Sequence, residues 1–236
     1  MEINSSERLI FALDTATEKE AVSYVERLNG VVEFFKVGII LHTLTGAGFV
    51  STLVKKGKKV FLDLKYHDIA DTVRDAVKQA AGLGVDFLTV HADRQVMEAA
   101  VEGKGESGLK ILAVTLLTNM SASDVKEMGI ALSPEEVVLQ RAKMACECGV
   151  DGVVASGREA SLVKKETGGK LLVVTPGVRP SGASADGQKR FVTPAEAIRA
   201  GADYLVVGRP IKNAPDPRSA AMSILEEMEK AFEEKL

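Results

Sequence analysis

The chain has 236 residues, of which 46% are hydrophobic and 27% charged, an ordinary composition for a soluble globular protein and enough for one large α/β domain or two small ones. The formal net charge is −3 with both signs interspersed, so no basic surface indicates nucleic-acid binding. No apolar run approaches the roughly 20 residues of a membrane span and no signal-peptide pattern opens the chain, so we expect a cytoplasmic protein that binds neither membranes nor nucleic acid.

Eight short runs of apolar and β-branched residues recur along the chain. They are nearly continuous in hydrophobicity, which is typical of strands that are covered on both faces of a parallel sheet. In chain order they occupy residues 9–13, 34–38, 60–64, 87–91, 111–117, 152–155, 171–175 and 204–207.

Helix signals separate these runs. Thr17 and Glu20 have the spacing of a capping box, with Gly30 as a stop signal. Ser133 and Thr193 repeat this spacing, and each is followed by Pro at the first helical position. A Gly, a small residue and an Asp open three of the strands, at residues 84–86, 149–151 and 201–203.

The alternation of strands and helices runs through the whole chain without a Pro/Ser-rich linker. The spacing of the three Gly-to-Asp triplets fits two βα units between each pair, as in a barrel of eight units. We therefore predict one (β/α)8 TIM-barrel domain over residues 1–236. A doubly wound sheet is the alternative.

Two short patterns invite a cofactor or metal interpretation that their context does not support. The sequence GKGESG at residues 103–108 matches G-x-G-x-x-G, but it follows a helical pattern and precedes a strand, so it predicts a turn rather than a dinucleotide site. Cys146 and Cys148 lie two apart in a predicted helix, where they cannot face each other. We expect them to be core-filling thiols in a reducing compartment.

Polar residues interrupt the apolar runs at the ends where a barrel carries its active site. Asp14 follows the first run, Lys36 lies in the second, and Asp68 follows the third. Asp63 and Lys65 lie two apart, so their side chains point to one face of the third strand. Because charges inside a barrel are costly unless paired, we predict an ion-pair network at the barrel mouth. A purely structural network is the alternative.

The loops after the seventh and eighth strands predict a phosphate site, because barrels of this kind often hold phosphate there. Arg179 follows the seventh strand, and Gly208 and Arg209 follow the eighth. Helix N-termini and guanidinium groups both bind phosphate. Between them, the Gly-, Ser- and Ala-rich residues 181–187, followed by Gln188, are typical of a mobile lid. An ordinary surface loop is the alternative.

The sequence DLKYHDIADT at residues 63–72 resembles the D-x-K-x-x-D-I-x-x-T motif of the orotidine 5′-phosphate decarboxylase family, in its bacterial form. Tyr66 and Ala70 stand where relatives often carry other residues, which affects no catalytic position. Five further segments match in order along the whole chain: LD at residues 13–14, FKVG at 35–38, LT at 117–118, TPGVRP at 175–180 and VGRPI at 207–211.

The resemblance implies a decarboxylase without cofactor or metal that converts orotidine 5′-phosphate to UMP. It implies a charged array, with Lys65 as the proton donor, that consists of Lys36, Asp63, Lys65 and Asp68. It also implies a homodimer in which Asp68, Ile69 and Thr72 reach the partner's site.

The resemblance also implies the remaining substrate contacts. Asp14 and Lys36 would hold the ribose hydroxyls and Thr118 the pyrimidine, with Ser121 as a further pyrimidine contact. The phosphate would be held by Arg179, Gln188, Gly208 and Arg209.

His67 and His91 also lie near the predicted mouth and could be read as metal ligands. A first-row metal usually needs several converging ligands, and Lys36 and Lys65 would repel a cation from the same space. We expect both to be structural, hydrogen-bonding histidines.

Two other functions remain open from the sequence. Related sugar-phosphate enzymes, 3-keto-gulonate-6-phosphate decarboxylase and hexulose-phosphate synthase, share D-x-K-x-x-D but use Mg²⁺ and carry an acidic residue where this chain has Lys36. A barrel that binds a phosphate ligand without catalysis, or serves as a dimeric scaffold, is the second alternative, although binding alone does not need a complete Lys–Asp–Lys–Asp set.

Overall fold

The computed structural model describes residues 7–180 and 192–234. Within them eight parallel strands close into a barrel in chain order, and the last strand pairs with the first. The predicted (β/α)8 barrel is confirmed, and the doubly wound alternative is wrong because the sheet closes on itself. The strands are β1 (Leu9–Ala12), β2 (Phe34–Gly38), β3 (Lys59–Tyr66), β4 (Phe87–His91), β5 (Lys110–Val114), β6 (Gly152–Val154), β7 (Leu172–Pro176) and β8 (Tyr204–Val207).

The predicted strand bounds are correct for β2, β4 and β8 and differ at the ends of the others. β3 runs on to Tyr66. Its ladder is interrupted near Lys65, which has a left-handed backbone conformation with φ of +52°, and pairing with β4 resumes at Tyr66 after a shift of register. β5 stops at Val114, after which the Thr115 hydroxyl donates to the Val154 carbonyl over 2.9 Å. Both departures lie at the end of the barrel where the strands finish.

Helices cover the outside of the barrel. Ser133 and Thr193 form complete capping boxes, as predicted. At Thr17 the box is only half formed, because the Glu20 carboxylate accepts from the Ala16 backbone N–H instead. The helices are α1 (Glu18–Arg27), α2 (Ile39–Lys55), α3 (Ala70–Gly82), α4 (Arg94–Lys104), α5 (Ala122–Glu127), α6 (Pro134–Glu147), α7 (Ala160–Glu166), α8 (Pro194–Arg199), α9 (Arg209–Lys212) and α10 (Pro217–Glu233).

The two short patterns that could have indicated a cofactor or a metal lie in the kinds of element that their context predicted. Gly105 ends α4 with φ of +51°, so residues 103–108 form the turn into β5. Cys146 and Cys148 are free, half-buried thiols that pack against the core. No helix in residues 7–180 or 192–234 combines the length and apolarity needed to cross a membrane.

Aromatic rings fill the part of the barrel interior that lies away from the mouth, called the lower part below. Phe34, Phe61, Phe87 and Tyr204 come from β2, β3, β4 and β8 and belong to one buried cluster. Phe87 contacts all three other rings, with centroid distances between 4.9 and 5.9 Å and steep, edge-on angles, an arrangement that aromatic quadrupoles favour. The packed rings form a floor beneath the mouth of the barrel.

The three Gly-to-Asp triplets fasten neighbouring strands at the opposite end. Asp86, Asp151 and Asp203 each accept a backbone N–H from the start of the preceding strand, at 2.8, 2.8 and 2.7 Å. The glycine before each aspartate has a positive φ, which only glycine adopts at little cost. The repeated motif therefore sets the strand register at the end of the barrel away from the mouth.

Asp151→Ala should lower the free energy of unfolding by about 1–3 kcal/mol, because the buried Ile111 N–H and the Lys104 ammonium each lose their acceptor. Equilibrium denaturation measures this loss. Asp75→Ala, on the exposed face of α3, is the control and should change stability by less than about 0.5 kcal/mol. Equal stabilities for the two variants would show that the motif does not hold the strands.

Candidate functional site

The charged residues of the second and third strands lie directly above the aromatic floor. Lys36 follows the floor residue Phe34 by two positions, and Asp63 follows Phe61 by two. Alternate residues of a strand share a face, so both charged side chains also point into the barrel, one layer nearer the mouth than the rings. Only 8% of Lys36 is exposed. The strand pattern thus brings a cation and an anion together at the mouth, as predicted.

The ion pairs form one alternating chain. Lys36 Nζ lies 3.0 Å from Asp14 Oδ1 and 3.5 Å from Asp63 Oδ2. The other carboxylate oxygen of Asp63, Oδ1, lies 2.7 Å from Lys65 Nζ. The order is therefore Asp14, Lys36, Asp63, Lys65, with each inner charge between two of opposite sign. The predicted network among these four residues is present.

Asp63 is the more buried carboxylate of this chain, with 15% of its side chain exposed against 52% for Asp14. Burial alone raises the pKa of its carboxyl group, but Lys36 and Lys65 act against it, helped by hydrogen bonds from Lys65 and Thr89, so that the pKa lies below its usual value of 3.8. The carboxylate is therefore ionised at neutral pH. Its negative charge is fixed within the barrel mouth.

Gly38, at the end of β2, leaves the space that the Lys36 ammonium occupies. A Cβ at this position would lie 2.9 Å from Lys36 Nζ and 3.3 Å from Asp14 Oδ1. A side chain at this position would require the Lys36 ammonium to shift from where it now lies, so glycine at Gly38 suits this arrangement of the ion pair.

A cavity of about 180 Å³ opens beside the chain of charges. Thr118, the predicted pyrimidine contact, is among the residues that line it, and its role stays a prediction. One side is charged and the rest is largely apolar, which suits a flat organic ring that carries a charged substituent. The lining residues are Lys36, Phe61, Asp63, Lys65, Val114, Leu116, Leu117, Thr118, Val154, Pro176 and Val206.

Asp68 lies apart from the other acidic and basic residues of the motif within a single chain. It is exposed, and its Oδ1 accepts from the backbone N–H of Ile69 at 2.7 Å. Ile69 is 71% exposed and Thr72 is also exposed. Among the described residues of one chain, Asp68 makes no ion pair with Lys65. The predicted four-membered array is thus incomplete in the monomer, because the strand ends before Asp68.

Only part of the predicted phosphate site lies among the residues that the structure describes. Arg179 is buried and donates to the Val178 carbonyl, whereas Arg209 is exposed and begins α9 directly after Gly208. Lys212, on the same short helix, donates to the Asp14 carbonyl at 2.7 Å, which fastens α9 beside the first strand. Gln188 and the predicted lid at residues 181–187 lie outside the described residues.

His67 and His91 lie next to each other, with ring centroids 4.8 Å apart and ring planes inclined by 32°. Burial lowers the pKa of His91, and His67, Arg141 and Lys65 act in the same direction. Over the part of the chain that the structure describes, no three His, Cys, Asp or Glu side chains are grouped to hold a metal ion.

Two hydroxyl residues have contacts that the sequence did not predict. Ser121 caps α5 through a reciprocal bond with Asp124, so its hydroxyl already serves the helix. Thr89 was missed: its buried hydroxyl contacts both Asp63 and the Lys65 backbone. The available signal was a polar residue that shares the inward-facing parity of Phe87 in an apolar strand.

Comparison with known proteins agrees with this geometry. Residues 7–224 match the model of the orotidine 5′-phosphate decarboxylase / HUMPS family. The chain belongs to this family. An orotidine 5′-phosphate decarboxylase of Nitrobacter winogradskyi is 52% identical over 226 residues, which are 96% of this chain and 94% of that protein. Another, of Methylorubrum extorquens, is 49% identical over 225 residues, or 95% and 97%.

A solved structure of the family has the same fold. The crystal structure of orotidine 5′-phosphate decarboxylase from Lactobacillus acidophilus aligns with a TM-score of 0.84 at 37% sequence identity, and the alignment covers 94% of this chain and 99% of that one. The family resemblance carried by residues 63–72 is therefore confirmed.

Lys36→Met should raise the pKa of Asp63, because burial is then opposed mainly by Lys65. In the wild type the depressed pKa means that ionised Asp63 stabilises the fold above pH 3.8, and this contribution disappears as the pH falls through the lowered pKa. The Asp63 carboxyl ¹³C shift, followed against pH, measures the change.

Lys58→Met is the matched control, because Lys58 is also a largely buried lysine but pairs with Glu33, before β3 begins. The Asp63 titration should be the same in this variant as in the wild type. An Asp63 pKa that is unchanged by loss of Lys36 would contradict the electrostatic description of the site.

Proposed function

We propose that this chain decarboxylates orotidine 5′-phosphate to UMP, the last step of UMP synthesis, with residues 1–236 acting as one barrel domain. The observation that carries the proposal is the chain of alternating charges that lines a ring-sized cavity at the mouth of the barrel. Membership of the family and relatives of that name at about half identity support it.

The chemistry requires a cation where negative charge develops. When the bond between C6 of the pyrimidine and its carboxylate breaks, CO2 leaves and the electron pair stays on C6, where no adjacent π-system takes it up. In our proposal the Lys65 ammonium stabilises that carbanion and then transfers a proton to C6, which gives UMP. Solvent then returns the proton to Lys65.

Asp63 has a complementary role in this proposal. It holds the Lys65 ammonium at 2.7 Å and lies where the carboxylate of the substrate enters. Two negative charges at close range repel each other, and the repulsion is relieved as CO2 departs. The burial of Asp63 strengthens this effect, because the charge is only weakly screened there.

The remaining roles concern binding. Asp14 and Lys36 are proposed to hold the ribose hydroxyls and Thr118 the pyrimidine. The phosphate does not react, but its binding energy, with closure of residues 181–187, contributes to stabilisation of the transition state. Its proposed ligands are Arg179, Gln188, Gly208 and Arg209.

A homodimer is part of the proposal. Asp68, Ile69 and Thr72 are exposed at the mouth end of the barrel, where they are available to a second copy. The first turns of α2 carry a further apolar surface at the same end of the barrel, formed by Ile39, Ile40 and Leu44. An exposed isoleucine beside a carboxylate suits an interface that completes a site. The cytoplasmic location stays a prediction.

A magnesium-dependent sugar-phosphate reaction is the main alternative, since the family name includes both branches. Lys36 argues against it, because its ammonium lies 3.5 Å from Asp63 and would repel a divalent cation from that carboxylate. A non-catalytic barrel would not need Lys65 held in place by a buried carboxylate.

The proposal is tested by following the ultraviolet change as orotidine 5′-phosphate becomes UMP. Lys65→Ala should lower kcat by about 10⁴-fold, because the proton donor and the stabilising charge are lost together, while thermal unfolding changes little. Lys59→Ala, at the other end of β3, is the control and should stay active. EDTA should leave wild-type activity unchanged, whereas a magnesium-dependent enzyme would lose it.

Mixed dimers test the role of Asp68 across the interface. Lys65→Ala and Asp68→Ala homodimers should each be inactive. Mixing them in equal amounts under exchange conditions should restore about a quarter of the wild-type sites, because half the dimers are mixed and each mixed dimer has one intact composite site. No recovery, with exchange verified by mass, would place Asp68 in its own chain's site or outside catalysis.

A further inference from the structure

Thr89 is a fully buried hydroxyl in the middle of an apolar strand. In β4 it lies between the floor residue Phe87 and His91, on the face that points into the barrel. Burial of a hydroxyl without partners costs free energy, so a threonine at this position needs bonds that compensate. The structure gives it two.

Both bonds connect to the charged chain on β3. The Thr89 hydroxyl accepts the backbone N–H of Lys65 at 3.0 Å and donates to Asp63 Oδ1, also at 3.0 Å. The same carboxylate oxygen accepts from Lys65 Nζ at 2.7 Å. The contacts therefore close a ring that starts and ends on Lys65, through Thr89 and Asp63.

The backbone of Lys65 explains why this ring is needed. Lys65 has φ of +52°, a left-handed conformation that costs a side-chain-bearing residue free energy. The pairing of β3 with β4 also shifts register between Leu62 and Tyr66. Since the regular ladder is interrupted there, the Thr89 hydroxyl takes the place of a ladder acceptor for the Lys65 N–H.

From this geometry we infer that Thr89 is a positioning residue for the decarboxylation, which orients the Lys65 ammonium and the Asp63 carboxylate through one hydroxyl group. The inference rests on the proposed function. Thr89 does not line the cavity and has no contact with substrate in this assignment. It acts through the two residues that do.

The hydroxyl has two distinct effects that the methyl group of Thr89 cannot supply. It fixes the backbone at the one residue whose side chain must reach C6, and a displacement of about 1 Å at such a group can cost roughly 100-fold in rate. It also supplies a hydrogen bond that helps to lower the pKa of Asp63 against the effect of burial. Loss of the hydroxyl should change both.

Thr89→Val and Thr89→Ser separate the hydroxyl from the shape of the side chain. Valine keeps the shape and removes both bonds, so kcat should fall by about 10- to 100-fold, while KM changes less than about threefold because the ligand contacts remain. Serine keeps the hydroxyl and should restore most of kcat. In Thr89→Val, the carboxyl ¹³C titration should also show a higher pKa for Asp63.

Thr175→Val is the matched control. Thr175 is likewise a fully buried strand threonine, but its hydroxyl has no hydrogen-bond partner in the described part of the chain. This variant should keep wild-type kcat and the wild-type Asp63 titration, so that any general effect of a buried Thr→Val change is measured separately.

The outcomes distinguish this inference from the proposed function. If wild-type protein does not decarboxylate orotidine 5′-phosphate, the proposed function fails, and the Asp63 titration still tests whether Thr89 orients the carboxylate. If the wild type is active and Thr89→Val keeps its kcat, or if Thr89→Ser is as impaired as Thr89→Val, the positioning role is wrong.

Discussion

A carboxylate buried between two ammonium groups is the constraint on which the rest of this structure depends. Asp63 has Lys36 at one oxygen and Lys65 at the other, so loss of either lysine leaves the carboxylate with one ion pair instead of two. Such a cluster contributes little to stability by itself, because desolvation cancels much of the attraction. In the proposed function the fixed charges act on the substrate, and the surrounding barrel holds them in position.

The two ends of the barrel contribute differently to holding these charges in position. Away from the mouth, Asp86, Asp151 and Asp203 accept N–H groups from neighbouring strands, and the aromatic floor fills the interior above them. These features hold the strands without reference to any ligand. At the mouth the strand geometry is irregular: β3 has a bulge at Lys65, and Asp68 is exposed to solvent. A rigid lower half allows the upper half to depart from ideal strand geometry.

Much of the site follows from sequence pattern, and the exceptions have physical causes. Lys36 and Asp63 are accessible to prediction because strand parity puts alternate residues on one face, and charges in apolar strands are rare. The barrel closure follows from eight regular repeats.

Thr89 could not be predicted in this way, since a threonine in a strand usually reflects β-propensity and only the three-dimensional bulge reveals its partners. The capping box at Thr17 is half formed because the Glu20 carboxylate has two backbone N–H groups within reach, and residue spacing does not determine which of them it accepts from. The proposed role of Asp68 involves a second chain, which the structure of one chain does not contain.

The aromatic floor has a consequence for the movement of molecules through the site. Rings from four strands meet edge to face directly below Lys36 and Asp63, so packed side chains fill the barrel interior beneath the cavity. In the proposed reaction, carbon dioxide formed above these rings leaves through the mouth, by which the nucleotide enters. Both products of the proposed reaction therefore leave through the same opening, a consequence of the packed base of the barrel.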